Sequence, residues 1–254
     1  MKNHMIGTAG LAVEQHYRGF HLALVGVTHE AMQAHAPTIP RVRAIHQSDA
    51  YLLQSNALSA IANVFDIALS DVIEHAVHSA HPGADDALRA QIADEIAGNR
   101  SAALATLSMA MQKDCMVAVK RLRDFNLRVD LSVQGGSRSY QSAVISARIA
   151  EQAKPVRFIQ TDTLGRQWKP STFASTTVKG VLQGAYADAF VRAAAAQGVS
   201  TLTVQYDDPE HDGHGQRISL TDDTYPAYLS LRDSVFHPNS SATLALLESS
   251  DVQP

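Results

Sequence analysis

Four carboxylates and two imidazoles fall within eight residues at Asp207-Asp208-Pro209-Glu210-His211-Asp212-Gly213-His214. His211 and His214, with Asp212 or the distant His237, offer the three nitrogen and oxygen ligands of an open metal site. The same composition suits an exposed polar turn between two strands, where Asp, Gly and Pro are favoured for backbone reasons. A metal held there points to a metal-dependent hydrolase or toxin-like effector, although the sequence identifies neither a general base nor a substrate pocket for it. Other chemistry is sparse. Gly135-Gly136-Ser137 lacks the Lys-Ser/Thr step of a phosphate-cradling loop, and no Gly-x-Ser-x-Gly nucleophile elbow is present. The single cysteine, Cys115, excludes an intramolecular disulfide and a cysteine-based zinc site, and reads as a small core filler. No cofactor is implied beyond that candidate metal ion.

Charge is unevenly spread. The chain has a formal net charge of -4, but residues 1–100 carry six basic and ten acidic side chains, 113–179 carry twelve and five, and 206–254 carry two and nine. The basic middle, with Lys113, Lys120, Arg121, Arg123 and Arg128 on one stretch, is a candidate surface for nucleic acid or an acidic partner. The alternative is a solvated helix face compensated by the acidic tail.

The elements that must position these groups follow from periodicity. Between Arg41 and Ala80, Leu58, Ile61, Phe65, Ala68, Val72 and Ala76 recur at steps of three and four, which predicts one long amphipathic helix. His81-Pro82-Gly83 ends it, Asp85 and Asp86 suit the first turn of the next, and Gly98-Asn99 marks that helix's end. From Ser101 the series Leu104, Leu107, Met111, Cys115, Ala118, Leu122 and Phe125 approaches a coiled-coil seam. Antiparallel packing of three or four helices is the economical way to bury such stripes. No run approaches eighteen uninterrupted apolar residues, and the start lacks a basic stretch followed by an apolar run and cleavage site, so a soluble chain without a membrane partner is expected.

The second half reads as mixed. Gln134-Gly135-Gly136-Ser137 is a loop, Tyr140 to Ala153 is a helix through Val144, Ala147 and Ala150, and Pro155 stops it. Val156 to Ile159, a turn at Asp162–Gly165 and the return Arg166-Gln167-Trp168 predict a hairpin, with Trp168 as its packing anchor. Pro170 and Ser171 open a helix whose face runs through Phe173, Thr177, Val181, Ala185, Ala189 and Ala193 to Gly198, with Gly180 and Gly184 leaving room for close approach. Alternation in Thr201–Tyr206 gives a half-buried strand, and Arg217–Leu220 a shorter one paired with it across the His/Asp loop.

The order of these signals resembles the C-terminal region of tailed-phage minor capsid proteins, the MuF-like head proteins. The resemblance rests on Gly165-Arg166 in the hairpin, on Gly215-Gln216-Arg217-Ile218-Ser219-Leu220 after the histidine loop, and on His237-Pro238-Asn239. It covers residues 156–247, with a looser match in the helical half. In the family the last motif continues Cys-Arg-His, whereas this chain has Ser240, Ser241 and Ala242, so a zinc site carried over by analogy lacks half its ligands.

The fold class expected is α+β: a mostly helical region over 1–154 for docking and oligomerisation, a small α+β domain over 155–247 with a hairpin and short antiparallel strands, and a polar tail over 248–254. The resemblance implies a non-enzymatic structural head protein, present in multiple copies per virion at the portal vertex or head interior. Its implied partners are the phage portal protein, the major capsid protein and packaged DNA. In that reading Gly165, Arg166, Trp168, His237, Pro238 and Asn239 form a structural motif. A helical adaptor with no phage context is the remaining rival.

Overall fold

The computed structural model describes residues 1–33, 39–136, 139–152, 156–220 and 225–247, with side chains for all of these except 39–46 and 152. Ser137, Ala153, Pro155 and the 248–254 tail, on which a loop end, a helix end, a stop signal and a fraying tail were expected, lie outside the described residues. Six helices and two small antiparallel sheets make up the described elements. The helices are α1 (Lys2–Gln33), α2 (Ile39–Ala80), α3 (Asp86–Gln134), α4 (Tyr140–Gln152), α5 (Pro170–Ala196) and α6 (Tyr228–Val235). The strands are β1 (Gln160–Thr161), β2 (Gln167–Trp168), β3 (Thr201–Gln205), β4 (Arg217–Ser219) and β5 (Thr243–Leu246). A mostly helical part with a small α+β part is therefore the architecture, as the periodicities predict.

Contacts group the chain into two compact units, neither contiguous in sequence. One comprises Met1–Val13, Ala62–Leu104 and Ala174–Pro254, the other Glu14–Ile61 and Ala105–Phe173. This grouping follows contact rather than element type, and α1, α2 and α3 each contribute to both.

In the first unit α5 is the axis. Leu182, Ala185, Ala187, Ala189, Ala193 and Ala194 are fully buried. The expected face through Phe173, Thr177 and Val181 is only half-buried, because burial runs instead through Ala174, Val178, Leu182, Ala185 and Ala189. From Leu182 to Ala187 every residue of α5 is buried, as expected of a helix apolar all round. Alanine and glycine permit the crowding. A Cβ on Gly180 would lie 3.1 Å from Pro238 Cγ, and one on Gly184 would lie 2.7 Å from the Arg232 guanidinium. The close approach expected at these two glycines is thus used by two different segments. A three-stranded sheet of order β4-β3-β5 completes the unit, with Leu202 opposite both Ile218 and Leu246, and Val204 opposite Leu244. Pairing of β3 with β4 matches expectation. β5 and α6 had no clear periodic signal, being four and eight residues long.

The helix end expected at Gly98-Asn99 does not occur, since α3 runs through it for 49 residues. Ile92, Ile96, Ala103 and Leu107 are buried on either side of it, so the apolar stripe passes the glycine in register. Burying such side chains is worth about 1.5–3 kcal/mol each, more than the ~1 kcal/mol a helical glycine costs. The ion pairs of Arg89 with Glu74 and Arg100 with Asp66 fasten α3 to α2 in antiparallel sense across this stretch.

The second unit packs α1 from Glu14, α2 to Ile61, α3 from Ala105, α4 and the β1-β2 hairpin. Leu107, Met111, Cys115, Ala118, Leu122 and Phe125 are buried and Leu104 is half-buried, so the predicted seam is used from Leu107 onward. Met32, Leu122, Phe125, Val129, Ala143, Val144 and Ala147 form one apolar cluster. Arg148 donates to the carbonyls of Met32 and Gln33, satisfying the C-terminal end of α1 with a cation.

Within Gln47–Ala80 of α2 an 18-residue window reaches a mean hydropathy of 1.3, enough by length and composition to cross a membrane, and 33% of that window is buried. Within that span Ile61, Phe65, Val72, Ala76 and Val77 are fully buried, and a core helix meets the same criterion.

Candidate functional site

The β1-β2 hairpin is organised by one carboxylate. Asp162 accepts hydrogen bonds from the Leu164 and Arg166 amides (3.0 and 2.9 Å), from Arg166 Nε (2.7 Å) and from Trp168 Nε1 (3.0 Å). These donors, the Trp168 indole foremost, hold its carboxyl down from the usual 3.8 to about 2. Gly165, at φ +78, supplies the left-handed residue of the turn and donates its amide to the Asp162 carbonyl. The Gly165-Arg166 and Trp168 positions therefore serve the turn itself, and the Arg166 guanidinium lies 5.5 Å from the centre of the Trp168 ring.

The histidines of the 207–214 loop also bond to backbone. His211 Nδ1 accepts from the Gly213 amide at 3.0 Å, and its ring stacks on Tyr206 at 3.7 Å. His214 Nδ1 lies 3.2 Å from the Tyr206 amide. His237 Nδ1 accepts from the Asn239 amide at 3.3 Å, while the Ser240 amide closes a turn on the His237 carbonyl. Local bonding in this turn thus comes from the His237 ring. Among the described residues no three His, Cys, Asp or Glu side chains are placed to share a metal ion. His211, Asp212, His214 and His237 are not brought together as a ligand set, and the Nδ1 atom of each histidine lies against nearby backbone. Ser240 and Ala242 are buried, and Ala242 is fully so. The residues present do not fit a zinc ion.

The basic candidates separate into two groups. Arg121 Nε and Arg128 Nη1 bond the two oxygens of Glu151 at 2.7 and 2.6 Å, and Arg121 Nη2 reaches the Glu151 carbonyl at 3.0 Å. The Glu151 side chain is only 8% exposed, so these arginines neutralise a buried carboxylate. Lys113, Lys120 and Arg123 are exposed on α3. Beside the ion-paired arginines runs a groove of about 260 Å³ that also includes Lys120 and Arg157.

Two polar networks were missed from sequence. In the first unit Lys2, 2% exposed, donates to Gln183 Oε1 at 2.8 Å and to the Ala242 carbonyl, and its ammonium lies 4.9 Å from the centre of the Tyr186 ring. Burial lowers its pKa from 10.5 to about 8, against the pull of Asp207. In the second unit Asp114, 1% exposed, accepts from the Tyr17 hydroxyl at 2.9 Å and Gln160 Nε2 at 3.0 Å, and pairs with His21 Nε2 at 2.8 Å. His21 stacks on Phe158 at 4.3 Å. A signal existed: Ile6, Ala9, Val13, Tyr17, Phe20 and Leu24 step by three and four along α1, which places Lys2 and Tyr17 on its buried face.

A second groove, of about 390 Å³, lies between α2 and α3 in the first unit. Its apolar floor includes Leu69, Ile73 and Val77, and the Arg89–Glu74 pair lies at its edge. No family model, curated protein or solved structure matches the chain.

Proposed function

We propose that this chain is a structural minor capsid protein of a tailed bacteriophage, associated with the portal or head interior during assembly and acting through interfaces. The observation that carries the reading is the ordered set of motifs in residues 156–247, each of which performs a packing task. Gly165-Arg166 closes a turn around Asp162. Ile218 and Ser219 lie in β4 against β3, and His237-Pro238-Asn239 forms a turn whose proline sits against Gly180. Among the described residues no three His, Cys, Asp or Glu side chains are placed to share a metal ion, which favours an assembly role over metal-dependent hydrolysis. In this reading the long helices dock portal or major capsid subunits, and the basic middle meets packaged DNA or an acidic partner.

Mass spectrometry of purified virions and procapsids tests the proposal. The chain is expected in one or both particles at several copies each, and its absence from both overturns the assignment.

A further inference from the structure

We propose that the groove beside the Glu151 arginine pair is a phosphate-binding site, taking a phosphate group either free in solution or along a nucleic-acid backbone. The inference goes beyond the head-protein reading, because the chemistry of the groove is the same whether or not the chain belongs to a virion.

Charge is the first observation. Among the described residues Lys120, Arg121, Arg128 and Arg157 line the groove with Asp124 and Glu151 opposing them, a local excess of two positive charges on an open surface groove. Preorganisation is the second. Glu151 binds one nitrogen of Arg128 and the Nε of Arg121, and its own carbonyl takes Arg121 Nη2. Both guanidiniums are therefore held on folding, and a ligand does not bear the rotamer entropy that each long cation otherwise loses. Among the described residues Arg128 bonds through Nη1, which leaves its Nε and Nη2 as donors. Lys120 and Arg157, both exposed, have no carboxylate partner among the described residues.

Size and shape select the ligand. At about 260 Å³ the groove is smaller than the ~300–1,000 Å³ of pockets for drug-sized molecules. It suits one anionic group with space for its ester substituents. A lone carboxylate satisfies one arginine fork, whereas the several oxygens of a phosphate can meet several cations at once.

The test uses the full chain in two arms. Inorganic phosphate and pyrophosphate are titrated by calorimetry at low salt, and a labelled DNA duplex is followed by anisotropy between about 50 and 200 mM salt. Binding is expected in at least one arm. The double variant Lys120→Ala/Arg157→Ala should weaken it at least about tenfold, because charge-assisted contacts are lost. The control pair Arg18→Ala/Arg192→Ala, exposed and outside the basic middle, should change it less than about twofold, as expected of surface charges. In the DNA arm the double variant should flatten the log–log salt slope by about 2, close to 0.9 per phosphate contact. Phosphate binding that the double variant abolishes assigns a free-phosphate site, and binding of DNA alone assigns a backbone contact. Thermal melting of both pairs, together with the single variant Arg157→Glu, separates a lost site from a lost fold. Silence in both arms, or equal loss in the control pair, overturns the proposal.

Discussion

Asp114 gathers three side chains from distant parts of the sequence around one buried carboxylate. Tyr17 and His21 come from α1 and Gln160 from β1, while Asp114 sits on α3. Burial first, and the neighbouring carboxylate second, push the Tyr17 phenol far above its ordinary value, so the hydroxyl stays a donor throughout the working range. Removing the acceptor leaves buried donors without a partner, which costs far more than a net hydrogen bond contributes. Asp114→Ala is expected to lower unfolding stability by about 3 kcal/mol or more in urea titration, the range seen when one member of a buried pair is deleted. A loss under about 1 kcal/mol, the worth of an exposed pair, would mean that the network is incidental. The adjacent Cys115, its thiol raised to about 11 by burial, plays the core-filling part its type suggests.

At the scale of elements, the β1-β2 hairpin shows how little backbone a motif needs when a side chain organises it. Its strands are two residues each, too short to be stable on ladder bonds alone. Asp162 supplies four further bonds, to the backbone, the guanidinium and the indole. Because its folded pKa is depressed from 3.8 to about 2, the stabilisation it gives is fully present above pH 3.8 and is lost as pH falls through 2. The indole N–H resonance of Trp168, the chain's one tryptophan, reports the event in an NMR titration. It should hold constant down to about pH 4 and then shift with a midpoint near 2, and Asp162→Asn should remove that step. A midpoint at 3.8 in the wild-type chain would show that the carboxylate is not held by these donors. The hairpin turn, its return strand and the span of α5 were legible because turn chemistry and helix-end signals are local, whereas the first strand lies at Gln160–Thr161 and not at the expected Val156–Ile159. The continuity of α3 through Gly98 was not, since only packing on both sides of the glycine overrides its local cost.

At the scale of the molecule, segments remote in sequence meet at one buried ammonium. Lys2 bonds Gln183 and the carbonyl of Ala242, 181 and 240 residues away in sequence. Below pH 8 the ammonium is charged in the folded and the unfolded chain alike, and its desolvation is borne in full. Between about 8 and 10.5 the folded chain gives up the proton first, so the unfolded state binds more protons and stability rises with pH. Chemical denaturation of wild type across pH 7.5 to 10.5 should show that rise relative to Lys2→Met, which lacks the titrating group. Parallel pH profiles for the two would exclude a buried, depressed lysine.

Sequence alone determined the long helix α2, the α3 seam through Leu107 to Phe125, the turn at Gly165 and the pairing of β3 with β4, because each is written in local periodicity or turn chemistry. Tertiary structure decided the rest. It turned His211, His214 and His237 onto neighbouring amides instead of onto one another. It drew Arg121 and Arg128 to Glu151 while leaving Lys120 and Arg157 at the groove, and it buried Lys2 and Asp114 among partners that periodicity cannot pair. Whether a charge is a ligand, a strut or a free contact depends on the distances and burial around it, and those are fixed only when segments remote in sequence are packed together.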